Sequence, residues 1–576
     1  MMTIMQYEIR PGAYYDSVVL MELQRSLAAL PEVIDAGVVM ATPANKELLL
    51  STELWPETVT SVTPDDLLIV VKAETEQAAV AAIAQVDELL KRRHSTASQS
   101  FRPRSLDSAA KALPEAEWVL VSVPGRYAAG VAKEALSLNK HVFLYSDNVS
   151  VADEVALKQQ AQEKGLLVMG PDCGTAVING IGLGFANRIR RGKIGLVAAS
   201  GTGLQAVSSH IHQLGGGVSQ AIGTGGRDLK PEIGGATTRQ GLDLLARDDE
   251  TAVIVLISKP PAREVATQLL AAAQAIAKPV IINFIGYPPP ARQLGNLHFA
   301  NNAWETAVLA VQLASQSSDT SPHPPRSTSA RLSTSPRLNG FLRGLFSGGT
   351  LAYETMLGLQ TVLSPLYSNG PIRPEQTLAD PLVSQAHTIL DMGADEFTQG
   401  RLHPMMDNDL RIRRLRQEAA DPEVSLILLD VVLGEGSHPD PASELAPVIA
   451  EIVGQSPLSL SQGAKRVAVI LIGTDEDPQG MAVQTEKLMA AGAEVFTDTT
   501  SAVTMISQRL QQSPPAIANP IDLEAFRSPL AAINVGLDSF YDSLVGQGAS
   551  ATQVEWRPPA GGNEKMMALL AKMKQK

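Results

Sequence analysis

One cysteine, Cys173, occurs in 576 residues. An intrachain disulfide is therefore excluded, and so few thiols suit a reducing compartment, so a cytoplasmic location is expected. Aromatic residues are scarce at 4%, and no apolar run approaches the roughly 20 residues that a membrane span needs. The first residues lack the basic and apolar stretches of a secretory signal. Positive charge is in deficit: 47 Lys and Arg against 60 Asp and Glu give −13, which argues against a nucleic-acid or anionic-membrane surface. Neither His210 and His212 nor the acidic residues fall at metal-ligand spacing, so no metal is expected. No Gly-x-x-x-x-Gly-Lys-Ser/Thr segment occurs, so the chain has no recognisable nucleotide loop.

What is present is 44% hydrophobic residues dominated by Ala, Gly, Val and Leu, enough for three or four α/β domains with buried parallel strands. Residues 1–95 read as strand 6–10, helix 17–30, strands 33–40 and 67–71, and a long helix 74–93, a small ferredoxin-like or ACT-like α+β domain. A polar linker follows at 94–104. From Ser105, strands 118–123, 141–145 and 166–169 alternate with helices 128–138 and 152–164, a Rossmann-type domain over 105–190. Strands 194–198, 252–257 and 280–284 build a flavodoxin-like domain over 191–314. The Ser/Thr/Pro/Arg-rich stretch 315–337 reads as a flexible linker. Strands 341–346, 388–391, 425–431, 467–472 and 494–496 build a second flavodoxin-like domain over 338–510, and 511–576 is a C-terminal extension ending in a basic helix, 563–576. The fold class is thus α/β, several doubly wound domains behind a small α+β domain.

The chemistry concentrates at glycine turns. An apolar run ending at Ala199 meets Ser200-Gly201-Thr202-Gly203 and then a helical pattern over 204–214. A strand that feeds such a turn and a helix aims free backbone N–H groups at one point, where the helix dipole favours an anion. Ser347-Gly348-Gly349-Thr350 repeats the device, so two helix N-termini could hold one phosphate. Against this stands the plain reading that glycine only permits a tight turn. Gly225-Gly226-Arg227-Asp228 offers a guanidinium for phosphate or, equally, a salt bridge to Asp228. Pro171, Asp172 and Cys173 sit at a strand end. Cys173 has no evident histidine to activate it and is read as a pocket liner, not a nucleophile. His403, in Gly-Arg-Leu-His403-Pro-Met, is a candidate base or carbonyl-polarising donor, weighed against a loop-fixing hydrogen bond.

Gly-Pro-Asp-Cys173 followed by Ala-Ser-Gly-Thr-Gly203, with Ser-Gly-Gly-Thr-Leu-Ala-Tyr353 later, resembles the α subunit of succinyl-CoA synthetase and other NDP-forming acyl-CoA synthetases. Asp16-Ser17-Val18, Phe143–Val149, Lys164–Gly174, Gly225–Asp228, Ser258-Lys-Pro-Pro261 and His403-Pro-Met405 extend a closer resemblance, to the FdrA/YahF family, over nearly the whole chain. That resemblance implies doubly wound domains, phosphate on both turns, and Pro171, Asp172 and Cys173 lining an acyl pocket.

Three departures bear on the activity. Asn296 stands where the synthetases carry a phosphorylated histidine, with His298 two places off. No ATP-grasp-sized segment is present, and the glycine-rich CoA loop has no counterpart, so no cofactor is expected and CoA binding is in question. What remains is an acyl-phosphate site. The FdrA association with oxamate carbamoyltransferase and with purine (allantoin) catabolism then implies a transferase. It would pass a carbamoyl group from carbamoyl phosphate to a small carboxylate or amide acceptor, in a complex with partner subunits. Ser200, Gly201, Thr202, Gly203, Ser347, Gly348, Gly349, Thr350, Gly225 and Gly226 would hold phosphate, with Arg227 and His403 catalytic. Two readings stay open beside it: an acyl-CoA synthetase subunit working with a separate ATP-binding chain and using His298, and a scaffold or ligand-sensing subunit.

Overall fold

A computed structural model describes residues 4–12, 17–28, 30–41, 66–94, 103–289, 291–316, 338–398, 401–454, 465–510 and 523–557, with short stretches between 45 and 63 and between 565 and 573. The chain divides into two units, 1–511 and 512–576.

The first unit opens with an antiparallel sheet of Ile4–Arg10, Leu67–Ala73 and Val33–Met40, in that order. Alternation sorts the central strand: Leu67, Ile69 and Val71 pack with Leu20, Leu23 and Leu27 of helix Ser17–Ala28, while Leu68 and Val70 meet Leu49 and Leu54 on the other face. This is the expected α+β domain. Its long helix is instead two, Glu76–Ala84 and Val86–His94, parted at Gln85.

Trp118–Val121, His141–Leu144 and Val168–Met169 form a three-stranded parallel sheet. The chain then leaves it: the hairpin Thr175–Ile178 and Ile181–Gly184 joins the next sheet, so that sheet begins well before residue 191. Its eight strands run Gln293–Leu294, Leu297–Phe299, Val280–Phe284, Val253–Ser258, Arg191–Ala199, Val218–Gly223, Thr175–Ile178, Ile181–Gly184. The five from Leu297–Phe299 to Val218–Gly223 are parallel and, numbered along the chain, stand in the order five, four, three, one, two. The third sheet is parallel throughout: Leu366–Ser368, His387–Asp391, Phe341–Phe346, Val424–Val432, Arg466–Ile472, Glu494–Phe496. Val424–Val432 is buried at every position, as a strand covered on both faces must be. In both sheets the winding reverses beside the first strand, Arg191–Ala199 or Phe341–Phe346. Ligands of open α/β sheets bind beyond the carboxyl ends of strands at such a switch point. One core joins both sheets, with Leu204 and Val207 of the first glycine-turn helix beside Leu351 and Met356 of the second.

The second unit pairs Ala531–Val535 with Ser550–Val554 in parallel, with helix Asp538–Gly546 between them in the chain. The expected linker at 315–337 lies outside the described residues except for 315–316, which end helix Ala303–Gln316. Most of the expected helix at 563–576 also lies outside them. Among the described residues no helix is long and apolar enough to cross a membrane.

Candidate functional site

Ser200 follows the buried run 194–199 in extended conformation and caps helix Gly201–Gln213, its Oγ accepting from Gly203 N at 3.0 Å. The helix therefore starts three residues before the apolar pattern, because glycines carry no helical signal of their own. Gly203, expected to hold phosphate, spends its N–H on this cap. Gly201 and Thr202 keep the first-turn N–H groups that no helix can satisfy internally.

Ser347, also expected to hold phosphate, is committed elsewhere. Its N–H donates to Asp430 Oδ1 at 2.7 Å and its hydroxyl to Oδ2 at 2.8 Å. Arg411 supports the same carboxylate at 3.2 Å. Ser347 thus pins the turn to strand Val424–Val432. Helix Gly349–Leu359 begins after Gly348 with no side-chain cap, so its first N–H groups are left for something else.

The two turns meet. Ser200 Oγ lies 2.5 Å from Thr350 Oγ1, and a β-carbon at Gly348 would overlap the Thr202 methyl. Around them stand three groups. The Lys259 ammonium lies 2.5 Å from the place of a β-carbon on Gly349, and Asp391 Oδ2 crowds the same place. His403 Nε2 lies 2.9 Å from the place of a β-carbon on Gly393, beside Asp391 Oδ1. Burial, with Arg411 nearby, pushes His403 down to about 4, so the ring is neutral near pH 7. Its Nδ1 accepts from Met405 N at 3.3 Å, which assigns the proton to Nε2. Phe185 lies against the ring, centroids 5.2 Å apart. His403 thus fixes its own loop and also presents a donor toward the site. Burial raises the Asp391 carboxyl, with Lys259 opposing.

From the first turn a narrow crevice opens, lined by Asp172, Cys173, Thr175, Ser200, Gly201 and the glycines 225 and 226. Pro171 contributes its carbonyl, which excludes any β-carbon at Gly225. Thr175 Oγ1 is buried and has no partner among the described residues. Desolvation first, then Asp147 and Asp395, raise the Asp172 carboxyl to about 6, with Lys259 and Arg227 opposing. The residue as a whole is exposed, so solvent screens part of this effect. The Cys173 thiol is pushed up to about 12 by burial and donates to Thr175 O, which fits a pocket wall and not a nucleophile.

One terminal nitrogen of Arg227 pairs with Glu154 at 3.0 Å and donates to Val149 O at 2.8 Å, so the expected bridge to Asp228 is not made. Asp228 instead binds Lys158 at 2.8 Å and the Thr237 and Thr238 N–H groups, inside a buried network with Glu154. The cation that sequence reasoning missed is Lys259, a lone lysine before two prolines.

Asn296 sits in the two-residue turn of the hairpin Gln293–Leu294 and Leu297–Phe299, and its Nδ2 donates to the carbonyls of Ala273, Ile276 and Lys278. It precedes a strand that runs parallel to Val280–Phe284, so it lies at the amino end of the sheet, opposite the carboxyl ends that carry the glycine turns. His298 lies within that strand, paired with Ile281.

Comparison with known proteins bears on this geometry. Residues 345–508 match the family model described as CoA-ligase, 189–286 the CoA binding domain, and 2–105 the AllF heavy metal-associated domain. The last segment contains one histidine, His94, and no cysteine, so its residues do not fit a heavy-metal site. Among the described residues no group of three or more His, Cys, Asp or Glu side chains is placed to hold a metal. The chain is 41% identical over 500 residues to the uncharacterized protein YahF of Escherichia coli, covering 86% of this chain and 96% of that one. It is 28% identical to succinate–CoA ligase (ADP-forming) subunit alpha 2 of Archaeoglobus fulgidus over 33% of this chain and 67% of that one. A dinucleotide-forming acetyl-coenzyme A synthetase 1 of Ca. Korarchaeum cryptofilum, solved with phosphate and ADP, superposes at 14% identity with a TM-score of 0.29 over 68% of this chain and 81% of that one.

Proposed function

The chain belongs to the FdrA/YahF family, with CoA-ligase and CoA-binding domains of the succinyl-CoA synthetase kind, and on that premise we propose that it is an acyl-transfer subunit of the acid–thiol ligase type that holds an acyl phosphate between two helix N-termini. The observation that carries this reading is the meeting of Ser200 with Thr350 beside an uncapped second helix. The N–H groups of Gly201, Thr202, Gly349 and Thr350 take the phosphate, and the acyl group projects toward the crevice beside Asp172. CoA enters as a co-substrate. Its thiol loses a proton to Asp172 and its sulfur attacks the carbonyl carbon. The carbon–sulfur bond forms, the carbon–oxygen bond to phosphate breaks, and phosphate leaves with the electron pair. The neutral His403 donates toward the oxygen where charge develops. Asn296 is tied to three carbonyls on the opposite edge and does not serve as a phosphoryl carrier, so the nucleotide step belongs to a separate chain.

A second reading, carbamoyl transfer from carbamoyl phosphate to a small carboxylate or amide acceptor, is favoured by one observation. The small crevice ends in a carboxylate, Asp172, which accepts the N–H donors that a carbamoyl group carries and a simple acyl group lacks.

Calorimetry on the full chain separates them, with acetyl phosphate, carbamoyl phosphate, acetyl-CoA and ATP as titrants. Binding of acyl phosphate and of acetyl-CoA, with no ATP binding, is the expected result. Carbamoyl phosphate alone selects the second reading. No binding of either phosphate overturns both.

A further inference from the structure

We propose that Lys259 completes this anion site, supplying the side-chain cation that meets the phosphate as it leaves; the inference rests on the acyl-phosphate reading above. Lys259 directly follows Val253–Ser258, the strand that flanks the switch point of the first flavodoxin-like sheet. Ser258 Oγ donates to the Lys259 carbonyl, and Pro260 and Pro261 follow. A residue before proline is held in extended backbone, so the root of this side chain is fixed. From there the side chain crosses to the other domain and ends at Gly349, the residue that opens the uncapped helix. A β-carbon on Gly349 would meet both the ammonium and Asp391, so a side chain there would displace one or the other.

The other nearby cations are committed. Arg227 is held by Glu154, Arg411 by Asp430, and Lys158 by Glu154 and Asp228. Among the described residues Lys259 has no hydrogen bond or ion pair on its ammonium, although its charge acts on both Asp391 and Asp172. On the other side of the turns, the buried and unpartnered Thr175 hydroxyl faces the crevice that Ser200 and Gly201 line, so the site holds a polar group awaiting a ligand at each end. An ammonium on a long stem suits phosphate as a point charge, and its pull grows as the breaking carbon–oxygen bond loads electrons onto the phosphate oxygen. In this step only the electron pair of the breaking bond moves.

The test is titration of the full-length protein with inorganic phosphate at low and raised salt, for wild type, Lys259→Met and Lys259→Arg. Methionine keeps the apolar stem and removes the charge. The expected result is binding that weakens at least about tenfold in Lys259→Met and returns to within a few-fold in Lys259→Arg, with a shallower salt dependence in Lys259→Met and unchanged melting temperatures. Equal binding by wild type and Lys259→Met overturns the role of Lys259 and leaves the site reading standing. Absence of phosphate binding in wild type instead removes the site reading, and the role of Lys259 with it.

Discussion

Ser200 Oγ and Thr350 Oγ1 lie 2.5 Å apart, though 150 residues separate them in the chain. Each belongs to the first turn of a helix that ends a parallel strand, so the contact brings two positive helix ends together. Two positive helix ends that face one another are tolerated when an anion sits beside them, as a phosphate would.

Gly348→Val tests that closeness. The added carbons would meet the Thr202 methyl and push the turns apart. Overpacking of this kind costs about 1–3 kcal/mol. The melting temperature should fall by several degrees while phosphate binding drops at least about tenfold. Unchanged phosphate affinity would show that the turns do not act together.

Asp172 sets an expected pH profile. Its carboxyl moves from 3.8 up to about 6. If it takes the proton of the acceptor, the rate climbs as pH rises through about 6. Asp172→Asn should remove that acidic limb and lower kcat by about 10²-fold or more. A limb that survives the substitution would assign the proton transfer elsewhere.

Glu354 sets an expected stability profile. It is buried on helix Gly349–Leu359, with Oε1 accepting from Ala303 N at 3.4 Å and Oε2 without a partner among the described residues. Desolvation raises it from 4.5 to about 7. Between those values the folded state holds more protons than the unfolded chain, so stability falls as pH rises through that window. Thermal melts at pH 5 and pH 8 should show a larger loss for wild type than for Glu354→Gln. Equal losses would contradict the assignment.

Lys158 tests the joint between the three-stranded sheet and the glycine loop that carries Gly225. Its ammonium is 2.9 Å from Glu154, 2.8 Å from Asp228 and 3.1 Å from Thr224 O, all out of water. Removing the ammonium leaves Glu154 with Arg227 alone and Asp228 with only the Thr237 and Thr238 donors, so Lys158→Met should cost about 3–5 kcal/mol in denaturant unfolding. A loss below about 1 kcal/mol would mean the network is not a joint.

Asn296→His asks whether the missing phosphohistidine can be restored. The side chain lies in a two-residue turn on the edge away from the glycine turns. Labelled ATP, with or without a nucleotide-binding partner, should leave no acid-labile phosphate on the variant, and Asn296→Ala should lower stability by about 1–3 kcal/mol through the carbonyls it orphans. Phosphate appearing on residue 296 would reverse this account of the departure.

Much of this was legible in the sequence because parallel strands are continuous apolar runs. Strands at 280–284, 341–346 and 494–496 stand where the runs place them. Both turns were legible as strand, glycine and helix in succession. The turns' division of labour was not. Ser347 looks like a phosphate ligand until Asp430, 83 residues on, takes its donors. Arg227 looks free until Glu154, on a helix of the preceding sheet, pairs with it. Lys259 stands in a segment that carries the family resemblance, Ser258-Lys-Pro-Pro261, but nothing local assigns it a role, since its neighbour Gly349 comes from another domain. Pairings of that range are set by how the sheets stack, which no local period encodes.

That both glycine turns belong to one chain has a consequence for how the site behaves on dilution. When two half-sites reside on separate subunits, the fraction assembled falls with protein concentration. Here the second half-site is present at the effective concentration set by the intervening polypeptide, independent of how much protein is in solution. Phosphate affinity should therefore be the same at nanomolar as at micromolar protein, and any dilution-sensitive loss of turnover would report departure of some other component.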